Sequence, residues 1–536
     1  MPTTKLSIRD VFAQTLIASK LGGDNDLRSM TQQGLLTKLW TFKTPGGEST
    51  YSSPIGPVPV RDAEGNLRQA VVFVAADWFV YANDVATGEM IWRFPCGGQC
   101  YGRPQAADVD SDGEVEVIAP SHDGYLRCIR SDGDMPTKWQ FPSVYIREGA
   151  GTVSASGSMY LEAADNDWAQ NAFTRPLVNG EPVNNATLSI IDGPAAGQQH
   201  VIASVPGGNR LNLVTDWVDG IAPEPGNAFQ IIPKWESDHI FMHAGTLVQE
   251  GTDWSIYVTS FDNHIYKINA TTGQLIWKFA TQENIEPYPL VVDIDGDGNL
   301  EVLAVSIDEQ LRCLDAETGV LKWQRNTGQC DAFLHCLDIN NDGVLEIPVS
   351  SRDDRIYLIR GTDGERLDQT GAMSAWDYGD LDSSTTPHRV EGEEFPRLYV
   401  GGDAGTIWSI DHDLRTQWQN TVVPTAINSS PFFHDVNGDG NAEVLIGDMR
   451  GTLYCCDAVT GRIIGREYFK GGIEGVPYYG DIDGDGNVEM IVTTTEGYVE
   501  CFRFVHGELY QSEFWPKDTK WKGHQHLPVT AGGVVT

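Results

Sequence analysis

The chain has 536 residues, with 75 acidic side chains against 37 basic ones and a net charge of −38. That balance excludes a nucleic-acid backbone or an anionic membrane surface as partner. No apolar run approaches membrane-spanning length, and nine cysteines, an odd number spread over a long chain, do not make a disulfide framework.

Residues 1–35 stand apart as an N-terminal helix and linker. Ser7-Ile8-Arg9-Asp10 reads as a capping box, Ile8, Val11, Phe12, Leu16 and Ile17 recur at helical spacing, and Gly22-Gly23 stops the helix. One short amphipathic helix cannot bury its stripe alone, so it packs on the main body or serves assembly with another chain. Arg9, Asp10 and Gln14 break any signal-peptide core.

From Leu36 the sequence turns β-rich, and one acidic pattern recurs five times. The copies run from Asp108 to Glu116, Asp293 to Glu301, Asp338 to Glu346, Asp435 to Glu443 and Asp481 to Glu489. So many carboxylates repel one another unless a cation sits among them, and a hard, oxygen-seeking ion such as calcium suits them, up to five in all. The ligand side chains expected at positions one, three, five and nine are Asp108, Asp110, Asp112 and Glu116; Asp293, Asp295, Asp297 and Glu301; Asp338, Asn340, Asp342 and Glu346; Asp435, Asn437, Asp439 and Glu443; and Asp481, Asp483, Asp485 and Glu489. Position seven, held by Glu114, Asn299, Val344, Asn441 and Asn487, is expected to add its carbonyl, and the glycine at six permits the sharp turn. Asn at position three should weaken the copies at 338 and 435. The loops are shorter than the ~12 residues of an EF-hand and no helices flank them.

The five copies are spaced by 185, 45, 97 and 46 residues, close to whole multiples of 46. A period of this size is the mark of a β-propeller of four-stranded blades. Third-strand patterns such as Trp78–Tyr81, His264–Tyr266, Gln310–Cys313 and Gly497–Cys501, with a weaker one at Arg210–Leu213, fill the gaps. They give nine repeat units over residues 36–515, starting near 52, 101, 185, 240, 285, 330, 383, 427 and 473; eight blades result if the weak unit near 185 belongs to the insertion at about 146–184. Lys38-Leu39-Trp40-Thr41-Phe42 resembles an outer strand without the three before it, and is expected to close the ring by pairing with the last unit. Residues 516–536 read as a poorly ordered tail.

These residues carry a family resemblance. The Asp-rich loop between two strands of each repeat resembles the FG-GAP repeat, the calcium-loop propeller repeat. The segment from Ala82 to Trp92, with partial copies at Asn269–Trp277, Asp315–Trp323 and Asp457–Gly461, resembles the tryptophan-docking repeat of the quinoprotein-like (PQQ-like) propellers. The second resemblance implies that each Trp stacks on the neighbouring blade and that each Gly turns the chain between the third and fourth strands. It also invites a dehydrogenase using pyrroloquinoline quinone, which would need an axial chamber, a calcium on the quinone and a catalytic Asp. Cys455 and Cys456 are adjacent, as in the cysteine ring of some of these enzymes, but they fall inside a third-strand pattern.

A second enzyme reading is a polysaccharide lyase, for which His239, His243, Tyr378, His388 and Arg389 are the candidate base and charge neutralisers. They form no motif. His335 and His434, just before acidic loops, read as structural, and Cys96 and Cys100 flank Gly97-Gly98 as a local disulfide or metal pair. The leading expectation is a calcium-stabilised, non-enzymatic propeller that binds a protein or glycan through one face of its ring. Loops of extracellular type without an export signal point to a virion or other particle outside the cell.

Overall fold

The computed structural model describes residues 29–506 apart from internal stretches, the longest of them 142–149, 164–186, 233–240 and 368–380. The expected helix over residues 8–17, the tail and most of the segment 146–184 lie outside the described residues.

Antiparallel sheets follow one another along the chain. Blade 1 covers residues 55–95, blade 2 105–141, blade 3 246–280, blade 4 290–326, blade 6 386–421 and blade 7 432–468, each as four strands in sequence order. Blade 5 has two strands, Glu346–Ser351 and Arg355–Arg360, extended by single bridges at Leu337 and Arg366. In blade 8 the strands at Tyr478–Gly480, Glu489–Thr493 and Tyr498–Phe504 take their fourth partner from the other end of the chain. Leu36–Lys43 pairs antiparallel with the last of them, from Leu36 opposite Phe504 to Lys43 opposite Tyr498. The ring therefore closes as the sequence implied.

Packing follows from strand position. Second strands such as Glu301–Val305 and Glu489–Thr493 are buried at every residue because a neighbouring blade covers each face. Outer strands such as Leu321–Asn326 bury only the docking residue, here Trp323. Eight apolar clusters each join two consecutive blades, and the cluster of Trp40, Val499 and Ile491 with Val71, Phe73 and Tyr81 joins blade 8 to blade 1. Consecutive contacts that return to their start define a ring of eight.

The unit near residue 185 is not a blade. Its strands lie in a seven-stranded sheet between blades 2 and 3, which runs in the order Ala150–Thr152, Ala228–Ile232, Thr187–Ile190, Gln199–Ser204, Arg210–Leu213, Tyr160–Glu162, Ala155–Gly157. It has its own core, including Leu188, Ile202, Leu211, Trp217 and Phe229. Blade 2 meets blade 3 directly despite it, for Trp139 Nε1 donates to the Ala270 carbonyl at 2.7 Å.

That bond is one of six of the same kind. Trp40, Trp92, Trp139, Trp277, Trp323 and Trp418 each donate their indole N–H to a carbonyl of the next blade, at 2.7–3.1 Å. Each ring lies on a hairpin glycine of that blade: Gly88, Gly133, Gly273, Gly319, Gly364 and Gly461, all with φ between 69° and 72°. A Cβ at any of them would fall 2.5–2.8 Å from the indole, so the position needs both the left-handed backbone and the missing side chain. Among the described residues two joints, blade 5 with blade 6 and blade 7 with blade 8, lack the pair, and blade 7 shows what replaces it. Its docking position is Gly465, and Met30 of a short helix, Met30–Gln33, fills the space, with its Cγ 2.7 Å from where a Cβ of Gly465 would stand. The reason is topological. Blade 8 takes its fourth strand from the N-terminal side, so it has no hairpin between its third and fourth strands for a tryptophan to dock on.

Candidate functional site

Two groups of carboxylates stand out, on opposite faces of the ring. The first is the five acidic loops, which connect the first and second strands of blades 2, 4, 5, 7 and 8. Their backbone is built the same way each time. The Asp at position one accepts amide N–H groups from the turn: Asp293 from Gly296 and Gly298, and Asp481 from Gly484, Asp485 and Gly486. The Asp at five accepts the N–H of residue seven, as Asp342 does from Val344. Glycine at six has φ of 87–90° in every copy. The Glu at nine begins the second strand, is at most 1 % exposed, and accepts the N–H of residue two at 2.7–3.2 Å.

In three loops the side chains converge closely. One oxygen from each of Asp108, Asp110 and Glu116 lies within 4.8 Å of the others, and so do those of Asp293, Asp295 and Asp297, and of Asp481, Asp483 and Glu489. This all-oxygen set suits a hard divalent ion such as calcium, and those residues, with the carbonyl at position seven, would hold it. The Glu114 side chain turns away to pair with Arg61 of blade 1 and Ser131. The copies at 338 and 435 do not form such a carboxylate triad. Asn340 donates to Asp342 and Glu346, and Asn437 to Glu443. Burial pushes Glu346, Glu443 and Glu489 up to about 7.

The second group lies where the chain enters each blade's first strand. A cavity of about 290 Å³ is lined there by Ser53 of blade 1, Tyr101 of blade 2, His243 of blade 3, Glu286 of blade 4, Asp331 and Arg352 of blade 5, Asp382 of blade 6, Asn428 of blade 7 and Glu474 of blade 8. A space that every blade reaches lies on the ring axis. Its lining is unbalanced, with four carboxylates around one guanidinium. Arg352 pairs with Asp331 and, at 3.2 Å, with Asp382. Glu474 Oε2 and Asn428 Oδ1 are buried acceptors without a hydrogen-bond partner among the described residues. Burial, with repulsion from Asp331 and other neighbours, pushes Glu286 up to about 7; burial and Asp382 push Asp331 up to about 6 and Glu474 up to about 7.

Other carboxylates on this face have a partner within their own blades. Tyr81 donates to Asp77 and Tyr357 to Asp353, each at 2.5 Å, while Arg127 and Arg312 pair with Asp123 and Asp308. Asp77 Oδ1 is a further buried acceptor without a partner among the described residues, so what marks the axis is the convergence of four carboxylates.

The lyase candidates are not brought together. His243 lines the cavity, but its Nδ1 accepts the Arg103 N–H and its ring packs against Tyr288 and Phe333; burial and Arg103 hold its pKa near 3. His388 is 6 % exposed and stacks on Phe433, while Arg389 donates to Asn341 and the Glu394 carbonyl. His239 and Tyr378 lie outside the described residues. His335 is buried enough to be held near 4, and His434 bonds the His506 carbonyl. Cys455 and Cys456 point into different blade interfaces, as a strand requires, and Cys96 and Cys100 are buried free thiols. Pyrroloquinoline quinone carries three carboxylates, and a cavity with surplus carboxylates and its arginine already paired does not fit it.

Comparison with known proteins bears on the scaffold. Residues 234–411 match the family described as outer membrane protein assembly factor BamB, whose repeats are of the PQQ type. A quinoprotein ethanol dehydrogenase of Pseudomonas putida is 24 % identical over 212 residues, which is 38 % of this chain; the chain spans only 31 % of that relative. Among solved structures, Saccharomyces cerevisiae Sqt1 aligns with TM-score 0.51 and 11 % identity over 87 % of this chain and 99 % of that one. BamB from Moraxella catarrhalis aligns with TM-score 0.48 and 12 % identity over 88 % of this chain and 100 % of its own. With eight blades in a closed ring and six of the eight joints made by a docked tryptophan, the chain is a β-propeller, and its blades 3 to 6 are similar to repeats of the PQQ type.

Proposed function

We propose that the protein is a binding module that receives a positively charged group of a protein partner in the axial cavity. The observation that carries this reading is the cavity's lining: four carboxylates, one guanidinium and two buried acceptors without partners. Donors brought by a ligand would satisfy what the chain leaves open, and a volume of 290 Å³ suits a side chain or a small organic cation. The family relative's name suggests an oxidoreductase, but its quinone is disfavoured by the same lining. A glycan is the second reading, supported by Trp78. This residue is 54 % exposed at the hairpin between the second and third strands of blade 1, on the cavity's face, and offers a flat ring on which a sugar could stack.

The acidic loops we assign to calcium, in a structural role that adds metal-binding free energy to the folded state. Such loops work where calcium is plentiful, and that favours a protein that acts outside the cell or on a released particle.

Argininamide and putrescine test the cavity. Calorimetric titration should show saturable binding that Glu286→Gln/Glu474→Gln weakens at least tenfold. Absence of saturation by both, or equal binding by the variant, would refute the reading. For the loops, chelator should lower the melting temperature, and added calcium should restore it.

A further inference from the structure

Three of the five acidic loops already contain a positive charge, supplied by their own blade. Lys138 Nζ lies 2.7 Å from Asp110, 3.0 Å from Asp112 and 2.6 Å from Glu116. Lys322 Nζ lies 2.7 Å from Asp295 and 2.8 Å from Glu301. Arg503 reaches Asp483 at 2.8 Å, Asp485 at 2.9 Å and Glu489 at 2.6 Å. In each case the cation contacts the carboxylates of positions three and nine, and position three belongs to every converging set.

The other two loops have no such group among the described residues, and they are the two with asparagine at position three. Lys322 stands three residues past the docking glycine Gly319; the same step past Gly364 and Gly461 reaches Leu367 and Ile464. There the side-chain amides of Asn340 and Asn437 donate to Glu346 and Glu443 in place of a cation. Residue three and the cation thus change together. An Asp comes with a Lys or Arg, and an Asn comes without. Counting the side chains at positions one, three, five and nine, every loop ends with the same three net negative charges.

We propose that Lys138, Lys322 and Arg503 are tethered counter-ions. They hold the loops at 108, 293 and 481 closed when no metal is bound, and a divalent ion entering these loops must displace them. The inference concerns the loops assigned above to calcium, and it reverses the simple expectation that loops with more carboxylates bind metal more tightly. The physical reason is competition. A side-chain ammonium tied to the same blade has a high effective concentration at the site, so the fourth carboxylate is spent on it before a metal arrives.

The test uses the full chain and Ca2+ itself at one loop, with Lys322→Met, Asp295→Asn and the double variant. In chelator Lys322→Met should melt below wild type. Asp295→Asn/Lys322→Met should recover most of that loss, because it copies the natural loop at 435. With calcium, Lys322→Met should gain more in melting temperature than wild type, and calorimetric titration should show one site at least tenfold tighter. A double variant no more stable than Lys322→Met, or a wild type that gains from calcium at least as much as Lys322→Met does, would overturn the proposal. Failure of the calcium assignment reads differently: wild type and variants would all ignore the metal, while the rescue by the double variant would remain measurable in chelator.

Discussion

The acidic loops and the axial cavity both crowd carboxylates, and the chain treats them in opposite ways. In the loops every position-nine Glu has a backbone donor, the Asp at one and five cap turns, and a lysine, arginine or asparagine closes the set. In the cavity, Glu286 and Glu474 face other carboxylates, and Glu474 Oε2 has no donor among the described residues. Negative charge neutralised by its own hairpin is architecture, because it stabilises one backbone shape. Negative charge left over where all eight blades converge costs stability, and a folded protein keeps such a cost where a ligand relieves it.

The largest effect that would sharpen this contrast is at Glu301. It is fully buried, accepts the Ile294 N–H at 3.0 Å and pairs with Lys322. Glu301→Ala should lose about 3 kcal/mol in urea denaturation, since it strands a buried N–H and leaves the ammonium one partner short. The same truncation at Glu474 should cost nothing or stabilise. If both variants lost comparable stability, the division between architectural and binding carboxylates would fail.

What the sequence revealed divides along the same line. The loops, the docking tryptophans and the closing strand at Lys38–Phe42 are local patterns, each repeated within a few residues, so periodicity exposes them. Gly88, Gly273, Gly319 and Gly461 were legible as turn residues, while Gly133 and Gly364, and the seating of each indole on its glycine, show only in three dimensions. The cavity was not legible. Glu286, Asp331, Asp382 and Glu474 sit in connecting segments without a shared motif, and only ring closure brings them together. The weak unit at Arg210–Leu213 looked like a third strand because its alternation is that of any half-buried strand; pairing with Tyr160–Glu162 places it in the inserted sheet. Lys138, Lys322 and Arg503 were overlooked although a signal was present, namely that a basic residue accompanies each loop with Asp at position three.

A pH series probes the cavity more gently. Glu286 and Glu474 rise from 4.5 to about 7 on folding, and Asp331 from 3.8 to about 6. A carboxyl whose folded pKa is raised contributes its stability below the unfolded pKa and loses it as pH climbs through the folded value. The free protein should therefore be less stable at pH 8 than at pH 5.5. A bound organic cation should make that slope shallower, because it favours the ionised carboxylates of the cavity, while Glu346, Glu443 and Glu489 of the loops keep their share of it. Denaturation at the two pH values, with and without argininamide, reads both.

The smallest effect isolates one group. Glu474→Gln keeps the shape of the side chain and removes the charge that Asp382 opposes. Between pH 5.5 and pH 8 its advantage over wild type should grow by about 2 kcal/mol, because the wild-type carboxyl, raised from 4.5 to about 7 by folding, loses stability over that interval. At pH 4, below the unfolded value, where Glu474 is protonated in both states, it should do nothing. Gain at one pH and silence at the other is the signature of relieved repulsion, since a change in packing would act at both. If the variant instead lost stability at pH 8, Glu474 would have a cationic partner in the free protein, and the cavity would be one more neutralised cluster like the loops.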